Sequence, residues 1–205
     1  MIAATNHYDH GGYPTYIYPE EAILLFALGD ILKPRRAAFL GSYYGYWASW
    51  VLPGILERGG RAVLIDPDEN AQRVAQANLG KFGSSGGVEF ATITGERFLD
   101  DTPDNFDLVV IDAENPRDHP DPEQRGKRVY APLLRHALPR LAPGAVVVCH
   151  NILLKNTLQG EFFQALLARN EDELGPFMAL AGCELESFTE FTSTEGVGVG
   201  RRALS

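Results

Sequence analysis

An apolar run that enters a glycine turn is the feature that most constrains the fold of this chain. Residues 37–40 are apolar and lead into the turn Gly41-Ser42-Tyr43-Tyr44-Gly45. Further along, the apolar run 62–65 ends at Asp66. In open α/β sheets the glycines of such a turn admit a nucleoside ligand to the backbone, and an acid after the second strand accepts hydrogen bonds from the ribose hydroxyls. The sequence therefore predicts a nucleoside-binding crevice at the carboxyl ends of parallel strands.

Strand and helix signals alternate along nearly the whole chain. Apolar, β-branched runs separated by helical segments are typical of a mainly parallel sheet, and two adjacent strand-like segments at the C-terminus predict an antiparallel edge. We therefore expect an α/β, Rossmann-like, mainly parallel seven-stranded sheet with helices on both faces and a C-terminal edge hairpin. The expected strands are 37–40, 61–65, 88–93, 106–111, 145–149, 183–191 and 196–201, and the expected helices are 19–32, 46–57, 68–82, 127–141 and 160–181.

The charge balance and the cysteines narrow the class of partners. A net charge of −9 argues against nucleic acid or an anionic membrane surface. No apolar run approaches the roughly 20 residues of a membrane span, and residues 1–18 lack the apolar segment of a signal peptide. Cys149 and Cys183 lie in apolar runs, which indicates buried thiols in a reducing compartment. We therefore expect a cytoplasmic protein with no nucleic-acid or membrane partner.

The N-terminal segment stands apart from this alternating pattern. Residues 1–18 are polar and rich in tyrosine, while residues 19–205 contain no internal repeat or linker and read as a single domain. We expect the segment to form an arm or lid, which could also pack across a homodimer. His7 and His10 within it could share a metal, although their spacing alone is weak evidence.

Taken together, these motifs resemble the class I S-adenosylmethionine-dependent methyltransferases, and within them the catechol O-methyltransferase-like group with its small bacterial members. The segment 41–46 is similar to the Gly-x-Tyr-x-Gly-Tyr turn of that group. Asp66 matches the acid that ends its second strand, and 110–113 resembles its Ile-Asp-Ala motif. His150-Asn151 takes the place of its Asp-Asn pair after strand five. The resemblance extends over residues 18–201, nearly the whole chain.

The resemblance implies that S-adenosylmethionine is the methyl donor. Asp66 would accept hydrogen bonds from the ribose, and its alternative role is to cap the following helix, for which Asp68 is a second candidate. Glu96 would contact the adenine, or it is an ordinary acid in the first turn of a helix. The implied cofactor-binding residues are Gly41, Ser42, Tyr43, Gly45, Asp66, Gly95, Glu96 and Asp112.

The resemblance also raises the question of a metal. Related enzymes hold a divalent cation, usually magnesium, on an acid after strand four and an Asp-Asn pair after strand five, which correspond here to Asp112, His150 and Asn151. An imidazole suits manganese, iron or zinc better than magnesium. Alternatively, no metal is bound and His150, with Asp112, acts as the general base. A histidine with a purely structural role is the third possibility.

A second departure concerns the lysine that related enzymes carry shortly after the strand-four acid. The corresponding segment 113–116 contains none. The proton of the acceptor must then be taken by another group, for which His150 is the first candidate and His119 the second, or the metal alone must suffice. Asn115 in this segment and Glu190 near the C-terminus are the candidate substrate contacts.

The function expected from the resemblance is methyl transfer to an oxygen, or to a nitrogen, of a small and partly apolar acceptor. A nicotinamide-dependent Rossmann oxidoreductase is the competing hypothesis. It needs a Gly-x-Gly-x-x-Gly turn, whereas Tyr43 and Trp47 occupy positions where a pyrophosphate would approach the backbone. A non-catalytic relative that keeps the cofactor pocket is the third hypothesis, which the altered metal pair and the missing lysine favour.

Overall fold

The structure is a computed structural model that describes residues 18–81, 86–154, 160–193 and 195–204. Seven strands form a sheet in the order β3-β2-β1-β4-β5-β7-β6. The strands are β1 (Arg36–Leu40), β2 (Arg61–Ile65), β3 (Val88–Ala91), β4 (Phe106–Ile111), β5 (Leu141–His150), β6 (Glu186–Phe191) and β7 (Val197–Arg201). The helices are α1 (Pro19–Leu32), α2 (Tyr46–Leu56), α3 (Glu69–Lys81), α4 (Gly95–Asp101), α5 (Tyr130–Ala137) and α6 (Glu161–Glu184).

Contacts divide the chain into two compact units, Met1–Phe98 and Leu99–Ser205. In the first unit, β1 pairs in parallel with β2, and β2 with β3. Strands β1 and β2 are almost wholly buried, which is why their sequences read as continuous apolar runs. Helices α1 and α2 pack closely because Gly29 and Gly54 lie at their contact, where a Cβ on Gly54 would meet the backbone of Gly29.

In the second unit, β4 pairs in parallel with β5, and β7 then pairs antiparallel with both β5 and β6. The predicted α/β class, the mainly parallel sheet and the antiparallel C-terminal edge are therefore confirmed. No helix in the described part of the chain is long and apolar enough to cross a membrane. Residues 1–17, which include most of the expected arm, lie outside the described residues.

Several element boundaries differ from the prediction. The expected helix 127–141 is a 3₁₀ turn (Lys127–Val129), helix α5 and a second 3₁₀ turn (Leu138–Arg140), because Pro132 and Pro139 interrupt regular hydrogen bonding. Strand β5 begins at Leu141 rather than at 145, and helix α6 continues through Pro176 to Glu184.

One of the two cysteines is also not buried as predicted. Both thiols are free, but only Cys149, in β5, is buried, whereas Cys183, in the last turn of α6, is exposed. Burial raises the pKa of the Cys149 thiol well above its ordinary value.

Candidate functional site

The glycine turn of the first unit is positioned by the register of two parallel strands. Leu40 of β1 lies beside Ile65 of β2, so the residues that follow them leave the strands at the same edge. The N–H groups of Gly41 and Ser42 both donate to the carbonyl oxygen of Ile65, at 3.0 and 3.1 Å. These bonds fasten the start of the turn to the end of β2, next to Asp66.

The turn contains three backbone positions in the left-handed region. The φ angle is 76° at Gly41, 43° at Tyr43 and 77° at Gly45. Glycine adopts such angles readily, whereas a non-glycine residue is strained there by about 1–3 kcal/mol. The Tyr43 N–H donates to Asp66 Oδ2 at 2.9 Å, which helps to hold the strained residue. Strain of this kind clusters at ligand-binding turns.

Asp66 uses both carboxylate oxygens to shape this turn. Oδ2 accepts from Tyr43, and Oδ1 accepts from the N–H of Asp68 at 3.0 Å. Burial raises the pKa of Asp66, although the two N–H bonds act in the opposite direction. The cap of helix α3 is Asp68, whose Oδ1 accepts from the N–H groups of Asn70 and Ala71. Asp66 is therefore not the helix cap, and each of its oxygens keeps further acceptor capacity for a ribose hydroxyl.

Gln72 of helix α3 is a contributor that the sequence reasoning missed. Its buried Nε2 lies 3.1 Å from the Leu64 carbonyl oxygen, 3.3 Å from the Ala91 carbonyl oxygen and 3.3 Å from Ser42 Oγ. Gln72 thus links the turn to the ends of β2 and β3. Among the described residues its buried Oε1 has no hydrogen-bond partner. The position of this glutamine beside the apolar positions of α3 is the sequence feature that could have indicated its buried role.

The aromatic residues near the turn divide between core and surface. Tyr44 is 6% exposed and packs with Ala71 and Val74 of α3, and Trp47 is 8% exposed. Tyr44 and Trp47 therefore belong to the core and supply no exposed aromatic surface at the turn. Tyr43 remains exposed, at 38%.

Gly95 and Glu96 begin helix α4. Thr94 precedes them, and its Oγ1 accepts from the Arg97 N–H at 3.5 Å, a long hydrogen bond at the start of the helix. Glu96 is half-buried in the first turn, where an acid interacts favourably with the helix dipole. Its contact with an adenine stays a prediction.

In the second unit, strand register brings Asp112 and His150 together. Ile111 of β4 pairs with Cys149 of β5, so Asp112 and His150, the next residues along these strands, are also neighbours. Asp112 Oδ2 lies 3.3 Å from His150 Nδ1, and the two side chains are 25% and 5% exposed. Because a carboxylate only accepts, Nδ1 carries the proton of this hydrogen bond and Nε2 is the nitrogen that can take up another.

Two positively charged side chains act on Asp112. Burial acts to raise the pKa of Asp112, but the nearby positive charges of His150 and Lys127 outweigh it and hold this pKa below its ordinary value. The sequence reasoning anticipated His150 and missed Lys127. The segment directly after Asp112 contains no lysine, but Lys127, further along the chain, contributes a positive charge near Asp112.

A backbone bridge closes the loop that follows the Asp112 segment. Asn115 and Gly126 form an antiparallel bridge in which each N–H donates to the other's carbonyl oxygen at 3.2 Å. Gly126 has a φ of 56°, and a Cβ there would lie 2.5 Å from Glu173 Oε2. Asn115 Nδ2 donates to Gln124 Oε1 at 3.2 Å. Asn115 therefore closes the loop 116–125, and its contact with substrate stays a prediction.

Asn151 follows β5 in the left-handed region, with a φ of 54°. Its carbonyl oxygen accepts from Asn170 Nδ2 at 3.2 Å, and the same amide also donates to the Leu153 carbonyl oxygen at 2.9 Å. Its own Oδ1 is buried without a hydrogen-bond partner among the described residues. This oxygen can therefore accept from a ligand donor.

Glu190 and His119 make hydrogen bonds within the chain, and their roles toward a substrate stay predictions. Glu190 Oε1 accepts from the Leu154 N–H at 2.8 Å, so Glu190 fixes the segment that follows β5. His119 Nδ1 accepts from the Asp121 N–H at 3.2 Å, and the His119 carbonyl oxygen accepts from Arg125 Nε at 2.7 Å. His7 and His10 lie outside the described residues.

The expected metal ligands form a donor set that does not fit magnesium. Asp112 supplies one carboxylate, His150 an imidazole already facing that carboxylate, and Asn151 one amide oxygen. Within the described ranges, no group of three His, Cys, Asp or Glu side chains could hold a metal ion. Lys127 also places a positive charge near Asp112. Magnesium prefers a near-octahedral set of oxygen ligands, which this group does not supply.

Residues 38–152 match a family model described as a methyltransferase domain. The chain is also similar to a catechol O-methyltransferase from Niastella koreensis, with 24% identity over 158 residues. That alignment covers 75% of this chain and 66% of the relative, so the chain spans slightly less than two thirds of the relative's length.

Solved structures share the fold over almost the whole chain. An O-methyltransferase from Bacillus cereus in complex with SAH has a TM-score of 0.70 and 18% identity, covering 98% of this chain and 89% of that one. The O-methyltransferase TomG from Streptomyces achromogenes, in complex with SAM, has a TM-score of 0.68 and 19% identity, covering 98% and 88%. Since the family model matches more than half of the sequence, the chain belongs to the methyltransferase-domain family and has the fold of the class I S-adenosylmethionine-dependent methyltransferases.

Proposed function

We propose that this enzyme transfers the methyl group of S-adenosylmethionine to a hydroxyl oxygen of a small-molecule acceptor, with His150 as the general base. The observation that carries the proposal is the contact of 3.3 Å between His150 Nδ1 and Asp112 Oδ2. The Asp112 carboxylate orients the imidazole through Nδ1, and Nε2 is then the nitrogen that accepts a proton. This arrangement is suited to removing a hydroxyl proton. The relatives named above as O-methyltransferases support oxygen as the nucleophile.

The donor side of the proposal rests on the turn 41–45 and Asp66. S-adenosylmethionine supplies an activated methyl group, so the protein has to bind and align it rather than activate it. Gly41 and Gly45 keep side chains away from the ligand, and Asp66 accepts from the ribose hydroxyls through the remaining lone pairs of its two oxygens.

On the acceptor side, His150 Nε2 removes the hydroxyl proton. The acceptor oxygen then forms a bond with the methyl carbon while the carbon–sulfur bond breaks, and the sulfur keeps the electron pair as S-adenosylhomocysteine. Asp112 stabilises the imidazolium that results. Asn151 Oδ1, a buried acceptor, is suited to receive a second hydroxyl of the same molecule.

The nicotinamide-dependent oxidoreductase is not favoured, because the family match is to a methyltransferase domain. The nature of the acceptor, the cytoplasmic location and a homodimer stay predictions. A non-catalytic relative would bind S-adenosylhomocysteine and transfer nothing.

The test combines donor binding with methyl transfer. Calorimetry with S-adenosylhomocysteine measures binding, and release of the same product with a panel of catechols, including 3,4-dihydroxybenzoate and caffeate, measures transfer. We expect His150→Gln to lower the rate by about 10²–10⁴-fold, the usual contribution of a general base, while donor binding is retained.

The matched control is His136→Gln. His136 also pairs with an aspartate, at 2.7 Å from Asp100 Oδ1, but on the surface. This variant should keep the wild-type rate. Absence of donor binding by the wild-type protein, or a full rate in His150→Gln, would contradict the proposal.

A further inference from the structure

Lys127 is the buried cation of the second unit. Among the lysines that the structure describes it alone is buried, with 1% of its side chain exposed. Its backbone N–H donates to Glu173 Oε2 at 2.8 Å, which fixes the residue directly after the loop closure. A lysine is almost never fully buried unless it is paired, so its position calls for a role.

The Lys127 ammonium is linked to the backbone of His150 through Tyr130. Nζ lies 3.1 Å from the Tyr130 hydroxyl oxygen, and that hydroxyl donates to the His150 carbonyl oxygen at 2.8 Å. Because the hydroxyl has one hydrogen, which the carbonyl oxygen receives, Nζ must donate to the hydroxyl oxygen. Nζ also lies 4.9 Å from the centre of the Tyr130 ring. The lysine is therefore held in one place.

Carboxylates oppose the cost of burying this charge. Burial lowers the pKa of Lys127, and the charges of Asp112 and Glu114 oppose this shift without cancelling it, Asp112 more strongly. Glu114 Oε2 lies 4.0 Å from Nζ. Asp112 in turn has its pKa lowered by Lys127. Lys127 and Asp112 therefore lie close enough for the charge of each to act on the pKa of the other.

We propose that the buried Lys127 ammonium, held by Tyr130 and Glu114, is the resident cation of this site, that Asp112, His150 and Asn151 take up no divalent cation, and that methyl transfer needs none added. The proposal rests on the proposed function. Lys127 acts through Tyr130, whose hydroxyl donates to the His150 carbonyl oxygen, so it is a positioning residue for His150. An imidazole after β5 is compatible with this arrangement, because a cation supplied by the chain needs no second oxygen ligand from that position, whereas magnesium would prefer one.

Manganese binding to the protein, followed by the electron paramagnetic resonance signal of free Mn²⁺, tests the proposal without reference to activity. We expect the wild-type protein, with and without S-adenosylhomocysteine, to show no saturable binding tighter than about 1 mM. We expect EDTA to leave the transfer rate unchanged. Saturable Mn²⁺ binding that Asp112→Asn abolishes, or loss of transfer in EDTA, would overturn the proposal.

Variants at position 127 separate the charge from the packing. Lys127→Met leaves Asp112 without its cation, and we expect it to bind Mn²⁺ at least about tenfold more tightly than the wild type, with the gain lost when Asp112→Asn is added. Lys127→Arg, which keeps the charge, should bind no more Mn²⁺ than the wild type. The matched control is Lys81→Met at an exposed lysine, which should also show no gain.

A folded Lys127→Met protein that gains no Mn²⁺ binding would count against the proposal. If this variant does not fold, the wild-type titration and the EDTA measurement still decide. Calorimetry with S-adenosylhomocysteine tests the proposed function separately. A protein that does not bind this product contradicts the proposed function, whatever the result of the manganese titration.

Discussion

Asp66 and Asp112 both follow the last residue of a buried parallel strand, yet their pKa values move in opposite directions. Asp66 is satisfied by two backbone N–H groups, and burial still raises its pKa. Asp112 faces His150 and Lys127, whose charges overcome burial and lower its pKa.

Each carboxylate is suited to a different kind of partner. Neutral N–H donors position a carboxylate without cancelling its charge, which suits a group that has to accept hydrogen bonds from a neutral ribose. Full charges hold a carboxylate ionised, which suits a group that has to steady a protonated imidazole. Strand ends fix the location in both cases, and the neighbouring groups, backbone N–H groups at Asp66 and charged side chains at Asp112, determine the chemistry.

The largest expected effect is that of Asp112→Asn. Removing one partner of a buried charge pair leaves the other uncompensated, so we expect the free energy of unfolding to fall by about 3 kcal/mol. Methyl transfer should fall with it, because His150 loses its orienting carboxylate. Urea unfolding and product release measure the two effects. Asp118→Asn, at an exposed acid of the loop 116–125, is the control and should change stability by less than about 0.5 kcal/mol.

A smaller effect is expected from Asp66→Asn. An amide has one acceptor oxygen, so either the Tyr43 or the Asp68 N–H loses its partner, at a cost of about 1–3 kcal/mol. Affinity for S-adenosylhomocysteine should also fall, which calorimetry measures. Glu69→Gln, at an exposed acid in the first turn of α3, should leave both quantities unchanged. Unaltered donor affinity in Asp66→Asn would show that the turn binds through other groups.

The pH dependence of stability should separate the two aspartates by sign. The folded pKa of Asp66 is raised, so its contribution is full below the unfolded pKa near 3.8 and is lost as pH rises through the folded pKa. The folded pKa of Asp112 is lowered, so its contribution is present above 3.8 and is lost as pH falls through the folded pKa.

Urea unfolding between neutral pH and about pH 3 measures this difference. On acidification, the stability advantage of the wild type over Asp112→Asn should shrink, whereas its stability relative to Asp66→Asn should improve. If the difference in stability between the wild type and the variant changed with pH in the same direction for both variants, the pKa values of the two aspartates would not be shifted in opposite directions.

The sequence predicts the features of both regions that follow from strand register. Gly41 next to Asp66, and Asp112 next to His150, each follow from two apolar runs that end at the same edge of a parallel sheet. Lys127 could not be found this way, because its return depends on a hydrogen-bonded bridge between Asn115 and Gly126 that no periodicity signals. The same holds for Gln72 and for the partner of Glu190, because both side chains bond backbone groups of distant segments.

The bridge at the base of the loop 116–125 has a consequence for how this protein could be diversified. Since two backbone hydrogen bonds between Asn115 and Gly126 fix both ends, the ten positions between them can be shortened, lengthened or grafted from another protein while Lys127 returns to the same place. The loop can thus vary in sequence while the contacts of Lys127 with Tyr130 and Glu173 are kept.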